Sequence, residues 1–507
     1  MYKTIPLILS LFLCSVFVDA TYQINFSKHR YPSRLAARDA GTLNLPARLN
    51  DVIATGGSYF ANISIGNPPQ NLQVVLDSGS SDLLIVTPDM CNDRSSDNPC
   101  VGGQFDPSLS RSYSVKYPNA LRALYGDGQN ATGDYSIDDV SLAGATLKNA
   151  LISVGSRGTL ANSIMGIGPD IGVTKYLRSR RAPTTLDALV SNNITKSKLF
   201  SVWFNGNDES GSILFGGIDE SKFDTKMGLV TLDMVQDAQA PQVPYFSYTV
   251  PVSGMSSSIA GRNVTYALPS STLNSSTPTV HGLPMLMDTG SSAITLPPDI
   301  FNAINSQVGA VYAFGGYGFY CSQAWHNKTL QESTFSWTLG DSRNGTQSIT
   351  YSVNFVDLIV PLYNPTTGKP RMVPNPQGDG ELSLCTFLMS PILPGGVDAI
   401  MGDAGLRRMY VVYDQDNHQL SFGKPILGGA GISRDIPVPS NSSIPQIKPN
   451  ITSVPYTLPN PSPSASPPRS TVIPGNSSEA ADQGNGPMFA LMISMFVTFV
   501  CAFALGI

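Results

Sequence analysis

The sequence predicts a mostly β protein built as two similar lobes. Three observations carry that expectation. The 507-residue chain is 41% hydrophobic but only 13% charged. It is rich in Gly, Ser, Thr, Pro, Val and Tyr, and its apolar residues fall in short alternating runs, as in half-buried strands. A short motif occurs twice, at Val74–Ser81 and at Met285–Ser292. Each copy is trailed by an apolar-Gly element, Ile164–Gly168 and Ile400–Asp403, in the same order and at comparable spacing, so a whole lobe is repeated. The length, too, exceeds what one core usually holds.

The elements follow in chain order. Met1-Tyr2-Lys3 supplies one positive side chain, Ile5 to Val18 is an apolar run too short to span a bilayer, and Val18-Asp19-Ala20 ends in a small residue. Residues 1–20 therefore read as a removed signal peptide. Residues 21–50 carry Lys28, Arg30, Arg34, Arg38 and Arg48 with Asp39 as the one acid. A basic segment ahead of an acidic body is expected to be a propeptide lying over a carboxylate-lined cleft; an unstructured leader fits its composition as well. The first clear strand is Tyr59–Ile65, and Gly66-Asn67-Pro68-Pro69 is the turn after it. Two lobes are expected, at 54–243 and 244–425. Helical patterns are few, the best being Thr184–Ser191 and Pro298–Val308, each opening at Thr or Pro.

After Lys424 the composition changes. Eleven prolines fall between Ile436 and Gly475 among Ser, Thr and Asn, which suits an extended, glycosylated stalk over 426–476. Residues 477–507 read as a removed GPI-attachment signal. Small residues Gly475-Asn476-Ser477-Ser478 precede a polar spacer, Glu479–Gly486, and an apolar tail, Met488–Ile507, without a basic flank. Asn476 is the preferred attachment residue, with Gly475 and Ser478 as the other candidates, and a tail-anchored helix is the less favoured alternative.

Four cysteines remain once Cys14 in the signal and Cys501 in the tail are set aside: Cys91, Cys100, Cys321 and Cys385. In an exported chain they are expected to form two disulfides. Three pairings are open, and the preferred one joins Cys91 to Cys100 and Cys321 to Cys385. Eleven Asn-x-Ser/Thr sequons behind a signal peptide point to a glycoprotein.

The repeated motif carries the chemistry. Each copy runs from an apolar strand into an Asp and a turn: Asp77-Ser78-Gly79-Ser80 and Asp288-Thr289-Gly290-Ser291. Gly79 and Gly290 allow a tight turn behind the carboxylate, and Ser80 and Ser291 can donate to its outer oxygen. Facing each other, the two carboxyls cannot both ionise easily and hold one proton between them. One can then take a proton from water while the other gives one to a substrate carbonyl or leaving nitrogen. A single Asp-Ser/Thr-Gly-Ser/Thr match is more often an ordinary turn. Two copies, each with an apolar strand before it and an apolar-Gly partner after it, are hard to reach by chance.

These motifs resemble the pepsin-like aspartic proteases over about residues 54–425. The resemblance implies a bilobal, mostly β aspartic-type endopeptidase fold with one catalytic Asp, Asp77 or Asp288, from each lobe. It implies a β-hairpin flap over the cleft, which Ala123–Gly128 matches, with Tyr125, Gly126 and Asp127 as flap and substrate-binding residues. Both preferred cysteine pairs fall where family disulfides lie, and Ala399–Phe422 looks like the family's closing stretch. The stalk and GPI signal narrow the resemblance to the fungal GPI-anchored, yapsin-like group. It implies an extracellular enzyme anchored at the plasma membrane, with the cell wall as a further location. It further implies a zymogen and a monomer acting on extended peptides or proteins without cofactor or metal. One departure stands out. The family usually has Trp shortly after the first catalytic turn, to support the flap tyrosine, and this chain has Leu84 there.

Other classes fit less well. There is no Gly-x-Ser-x-Gly and no His-Glu-x-x-His. The four histidines, His29, His281, His326 and His418, read as leader, surface or structural residues. A two-carboxylate glycosidase would leave the repeated turns unexplained. With a net charge of −5, the densest basic cluster is Arg178–Arg181, which reads as a solvated loop; no nucleic-acid partner is expected. The contrasting function is an inactive surface-anchored binding module on the same fold, against which the intact Asp77, Gly79, Asp288 and Gly290 count.

Overall fold

Alternation of apolar and polar side chains builds most of the body. Along Thr334–Leu339 every second residue is buried, and Ile349–Asn354 alternates throughout, as a sheet with one covered face requires. In the computed structural model, the described residues are 22–29 and 58–444, apart from 93–99, 101, 161, 170–182, 206–209, 237–244, 246, 269, 272–279, 314–315, 341–347, 364–368, 394–398, 428–433 and 441. The expected signal peptide, the rest of the leader, Arg178–Arg181, the expected stalk beyond 444, the expected GPI signal and Asn476 lie outside them.

Among the described residues the largest sheet has thirteen strands. From one edge it runs Val230–Asp233, Gln419–Gly423, Tyr410–Asp414, Leu199–Phe204, Ser210–Phe215, Tyr22–His29, Ser58–Ile65, Gln70–Asp77, Ser163–Gly166, Leu83–Val86, Ala145–Gly158, Asn130–Leu142 and Ser114–Leu124. A second sheet of eight strands is centred on Thr249–Ile259, Leu283–Met287, Ala399–Met401 and Ile294–Leu296. The closing strands Tyr410–Asp414 and Gln419–Gly423 leave the second half of the chain and pair into the first sheet. One core runs under both sheets, where Phe200 stacks on Tyr413 at 4.6 Å and meets Tyr248 edge-on at 5.8 Å.

The repeat is topological as well as sequential. Ser163–Gly166 lies parallel beside Gln70–Asp77, with Asp77 opposite Gly166. Ala399–Met401 lies parallel beside Leu283–Met287 in the same way. On the far side of each partner runs an antiparallel strand, Leu83–Val86 in one half and Ile294–Leu296 in the other. Both apolar-Gly elements thus flank the strands that deliver the aspartates.

Both expected helices form. Thr185–Ser191 starts from a capping box in which Thr184 and Asp187 bond each other's backbone amides. Pro298–Val308 has Pro in its first turn and ends at Gly309 in the left-handed region, φ 77°.

Two segments differ from the sequence reading. Tyr22–His29, within the basic leader, is a strand inserted between Ser210–Phe215 and Ser58–Ile65, with Tyr22 opposite Phe215 and Lys28 opposite Tyr59. It belongs to the main sheet. The segment 434–444, assigned to the stalk, is docked on the body. Asp435–Pro437 pairs with Gly217–Asp219, and Val438 and Ile444 are buried against Trp203, Ile218 and Tyr410.

Candidate active site

Two apolar strands end side by side in the middle of the molecule, each releasing an Asp into a turn. The turns are near copies. The Gly79 amide donates to Asp77 Oδ1 at 2.8 Å, and the Gly290 amide donates to Asp288 Oδ1 at 2.8 Å. Each glycine also packs against the opposing carboxyl. A Cβ on Gly79 would lie 2.8 Å from the Asp288 carboxyl, and one on Gly290 would lie 2.4 Å from Asp77 Oδ1. No side chain fits there, so Gly is needed for close approach as well as for the turn.

The residues after the aspartates lock the loops together. Ser78 N donates to Thr289 Oγ1 at 3.0 Å, and Thr289 N donates to Ser78 Oγ at 2.9 Å. Ser78 Oγ in turn donates to the Met287 carbonyl at 2.8 Å, and Thr289 Oγ1 to the Leu76 carbonyl at 2.9 Å. Both residues are buried. Two reciprocal bonds and two matching bonds to strand carbonyls, all in a buried site, fix the spacing of the two Asp backbones, each bond contributing about 0.5–1.5 kcal/mol net.

The carboxyls of Asp77 and Asp288 meet in a hydrogen bond. Burial, then the Asp77 charge and that hydrogen bond, push the Asp288 carboxyl well above the usual carboxylate range; the Gly290 and Gly79 amides oppose the shift. The pair therefore keeps a proton. Ser80 Oγ donates a short hydrogen bond to Asp77 Oδ2. Ser291, its counterpart, has its carbonyl accepting from Asp403 N at 2.7 Å.

Over this pair, Ser114–Leu124 and Asn130–Leu142 form a hairpin with Tyr125 to Gln129 at its tip. Tyr125 N donates to the Gln129 carbonyl at 2.8 Å, and Asp127 closes the turn by accepting from Gln129 N at 2.9 Å. Gly126 and Asp127 are exposed. The Tyr125 hydroxyl reaches down to Ser80, next to Asp77 and Asp82; burial above all raises its pKa well above the ordinary value. Leu84, in the expected Trp place, is fully buried and apolar. Cys91–Cys100 and Cys321–Cys385 are both disulfides, closing loops with sequence separations of 9 and 64.

Two tyrosines under the pair escape sequence reading. The Tyr413 hydroxyl donates to the Met287 carbonyl at 3.3 Å, the same carbonyl that accepts from Ser78 Oγ. The Tyr248 hydroxyl donates to the Ile167 carbonyl at 3.1 Å. Among the described residues no group of three or more His, Cys, Asp and Glu is gathered as a metal ion would require.

Comparison with known proteins agrees with this geometry. The family model for eukaryotic aspartyl protease matches residues 58–425. The probable aspartic-type endopeptidase opsB of Aspergillus oryzae is 30% identical over 377 residues, 72% of this chain and 68% of that protein. The aspartic proteinase yapsin-3 of Saccharomyces cerevisiae is 25% identical over 395 residues, 74% of this chain and 68% of that protein. Among solved structures, the aspartic proteinase from Irpex lacteus aligns with a TM-score of 0.51 at 19% identity, covering 81% of this chain and 99% of its own, a likeness of fold alone.

Proposed function

The chain belongs to the eukaryotic aspartyl proteases and is an aspartic-type endopeptidase, and on that premise we propose that Asp77 and Asp288 are its catalytic pair. The observation that carries this reading is their hydrogen-bonded contact between two matched turns. The ionised carboxylate takes a proton from a water whose oxygen attacks the peptide carbonyl carbon. The protonated carboxyl gives its proton to the carbonyl oxygen, forming a neutral tetrahedral diol. Proton transfer to the nitrogen and collapse of the diol then break the C–N bond and release an acid and an amine. The proton belongs to the pair, and Asp288 is the member that favours it.

The flap hairpin, with Tyr125, Gly126 and Asp127, lies where an extended peptide would take backbone hydrogen bonds. Sequence features support the surroundings of this activity. They are a signal peptide at 1–20, a propeptide within 21–50, lobes in the 54–425 body, and a stalk leading to GPI attachment at Asn476. The enzyme is accordingly exported, made as a zymogen, monomeric and lipid-anchored at the cell surface, and it works without cofactor or metal.

The test is cleavage of a mixed peptide library from about pH 3 to 7, the range spanned by a carboxyl dyad, with Asp288→Asn alongside. Acid-favoured cleavage that drops about 10²–10⁴-fold in the variant is expected. A folded, fully processed wild type that cleaves nothing would instead make the chain a surface-anchored binding module.

A further inference from the structure

Leu84 offers the flap only apolar surface, yet the hydroxyl end of Tyr125 sits among polar groups. Ser80 bonds it from below and continues to Asp77. Beside Ser80, on the same turn out of Asp77, the Asp82 carboxylate accepts from the Tyr135 hydroxyl at 2.9 Å. Tyr135 is 2% exposed and lies on the outgoing strand of the flap hairpin, opposite Tyr117. Its ring packs in one cluster with Leu84, Leu121 and Ala131, and Tyr125 rests against that cluster. The hairpin thus sends two tyrosines, one from its tip and one from its base, to the single turn that follows Asp77.

We propose that Tyr135 and Asp82 together position the flap: their bond ties the hairpin's base to the turn after Asp77 and holds a carboxylate beside Tyr125, which keeps the Tyr125 hydroxyl on Ser80. The Tyr135 ring fills the space beside the short Leu84 side chain, and its hydroxyl supplies the polar anchorage that Leu84 lacks. Tyr125 is faced by Asp77, Asp82 and Tyr135. Burial and these charges keep it protonated, hence a donor towards Ser80. Tyr135 touches no substrate in this scheme; it acts through Tyr125. The proposal rests on the reading of Asp77 and Asp288 as the catalytic pair.

The experiment uses the purified full chain and an internally quenched peptide cleaved by the wild type. The variants are Tyr135→Phe, Asp82→Asn, the double variant, and Tyr135→Phe in a Tyr125→Phe background. Tyr135→Phe keeps the packing and removes the bond, so kcat is expected to fall about tenfold, the worth of one charge-assisted hydrogen bond. KM should stay within about twofold, because a misdirected flap fails in the transition state more than in binding. Asp82→Asn should match it, and the double variant should lose no more than either single change. In the Tyr125→Phe background Tyr135→Phe should change nothing further. Hydrogen exchange at the flap tip, residues 124–130, should speed up in both single variants while the rest of the body stays unchanged. Full activity with unchanged exchange in Tyr135→Phe and Asp82→Asn would overturn the proposal, as would an equal Tyr135→Phe effect with and without Tyr125. If Tyr135→Phe does not fold, the near-isosteric Asp82→Asn decides by the same readouts. A wild type that cleaves nothing refutes the catalytic reading, and the exchange arm still decides whether the pair holds the flap.

Discussion

At the scale of single residues, the proton held by Asp77 and Asp288 has a consequence for stability. The Asp288 carboxyl is pushed up by burial and by Asp77, so the folded state holds this proton more tightly than the unfolded chain does. A carboxyl with a raised folded pKa contributes stability in full below its unfolded value, about 3.9, and that contribution is lost as pH rises through the folded value. Asp288→Asn carries no proton to lose. Its melting temperature should match the wild type in strong acid and exceed it increasingly toward neutral pH. Groups remote from the pair are common to both proteins and cancel in the difference, so what remains is the titration of the pair. A pH-independent difference between the two melting curves would show that the pair holds no extra proton in the folded state. The two Asp positions are legible in the sequence because a repeated motif surrounds them. The roles of Ser78 and Thr289 are not, since each hydroxyl bonds a partner 211 positions away and no local pattern reports such a contact.

At the scale of elements, the reciprocal bonds make the two Asp-bearing turns one unit. Thr289→Val keeps the shape of the side chain and removes its hydroxyl. Ser78 N and the Leu76 carbonyl would then be left in a buried site without the Oγ1 that serves both. The expected loss is about 1–3 kcal/mol of stability, with a fall in kcat because the two carboxyls lose their register. Thr289→Ser, which retains the oxygen, should lose much less. Thermal melts and peptide kinetics on the two variants check this, and equal behaviour of Val and Ser would refute the coupling. Elements with strong local signals were legible. Thr184 and Pro298 mark the two helix starts, and Gly66 to Pro69 marks a turn between paired strands. The strand at Tyr22–His29 was masked by the basic residues that follow it, although its apolar residues alternate. Its partners, Ser210–Phe215 and Ser58–Ile65, are remote in sequence or separated from it by a long connection.

At the scale of the whole molecule, the folded body runs past the family segment, which ends at residue 425. Proline-rich composition argues that 426–476 cannot bury a core of its own, but a segment can still dock on a core that others have built. Residues 434–444 do so. The Val438 carbonyl accepts from Ser197 Oγ at 2.5 Å, the Ser442 carbonyl accepts from Asn417 Nδ2 at 3.0 Å, and Arg434 N donates to Asp219 Oδ1 at 2.9 Å. Val438 and Ile444 are 2% and 3% exposed. They cover Trp203 and Tyr410, on the strands Leu199–Phe204 and Tyr410–Asp414. The second of these strands also carries Tyr413, whose hydroxyl braces Met287 beneath the proposed dyad. Removing the strap should therefore weaken both the body and its site. Each fully buried aliphatic side chain is worth about 1.5–3 kcal/mol, and ordering the strap offsets part of that gain. A form ending at 425 should be less stable by about 2–5 kcal/mol than one ending at 444, melt several degrees lower and turn over more slowly. In the longer form, Val438→Asp or Ile444→Asp should reproduce most of the loss, because a charge cannot enter that cluster unpaired. Equal melting temperatures for the 425 and 444 forms would place the end of the folded body at the family boundary and reduce the strap to a passive contact.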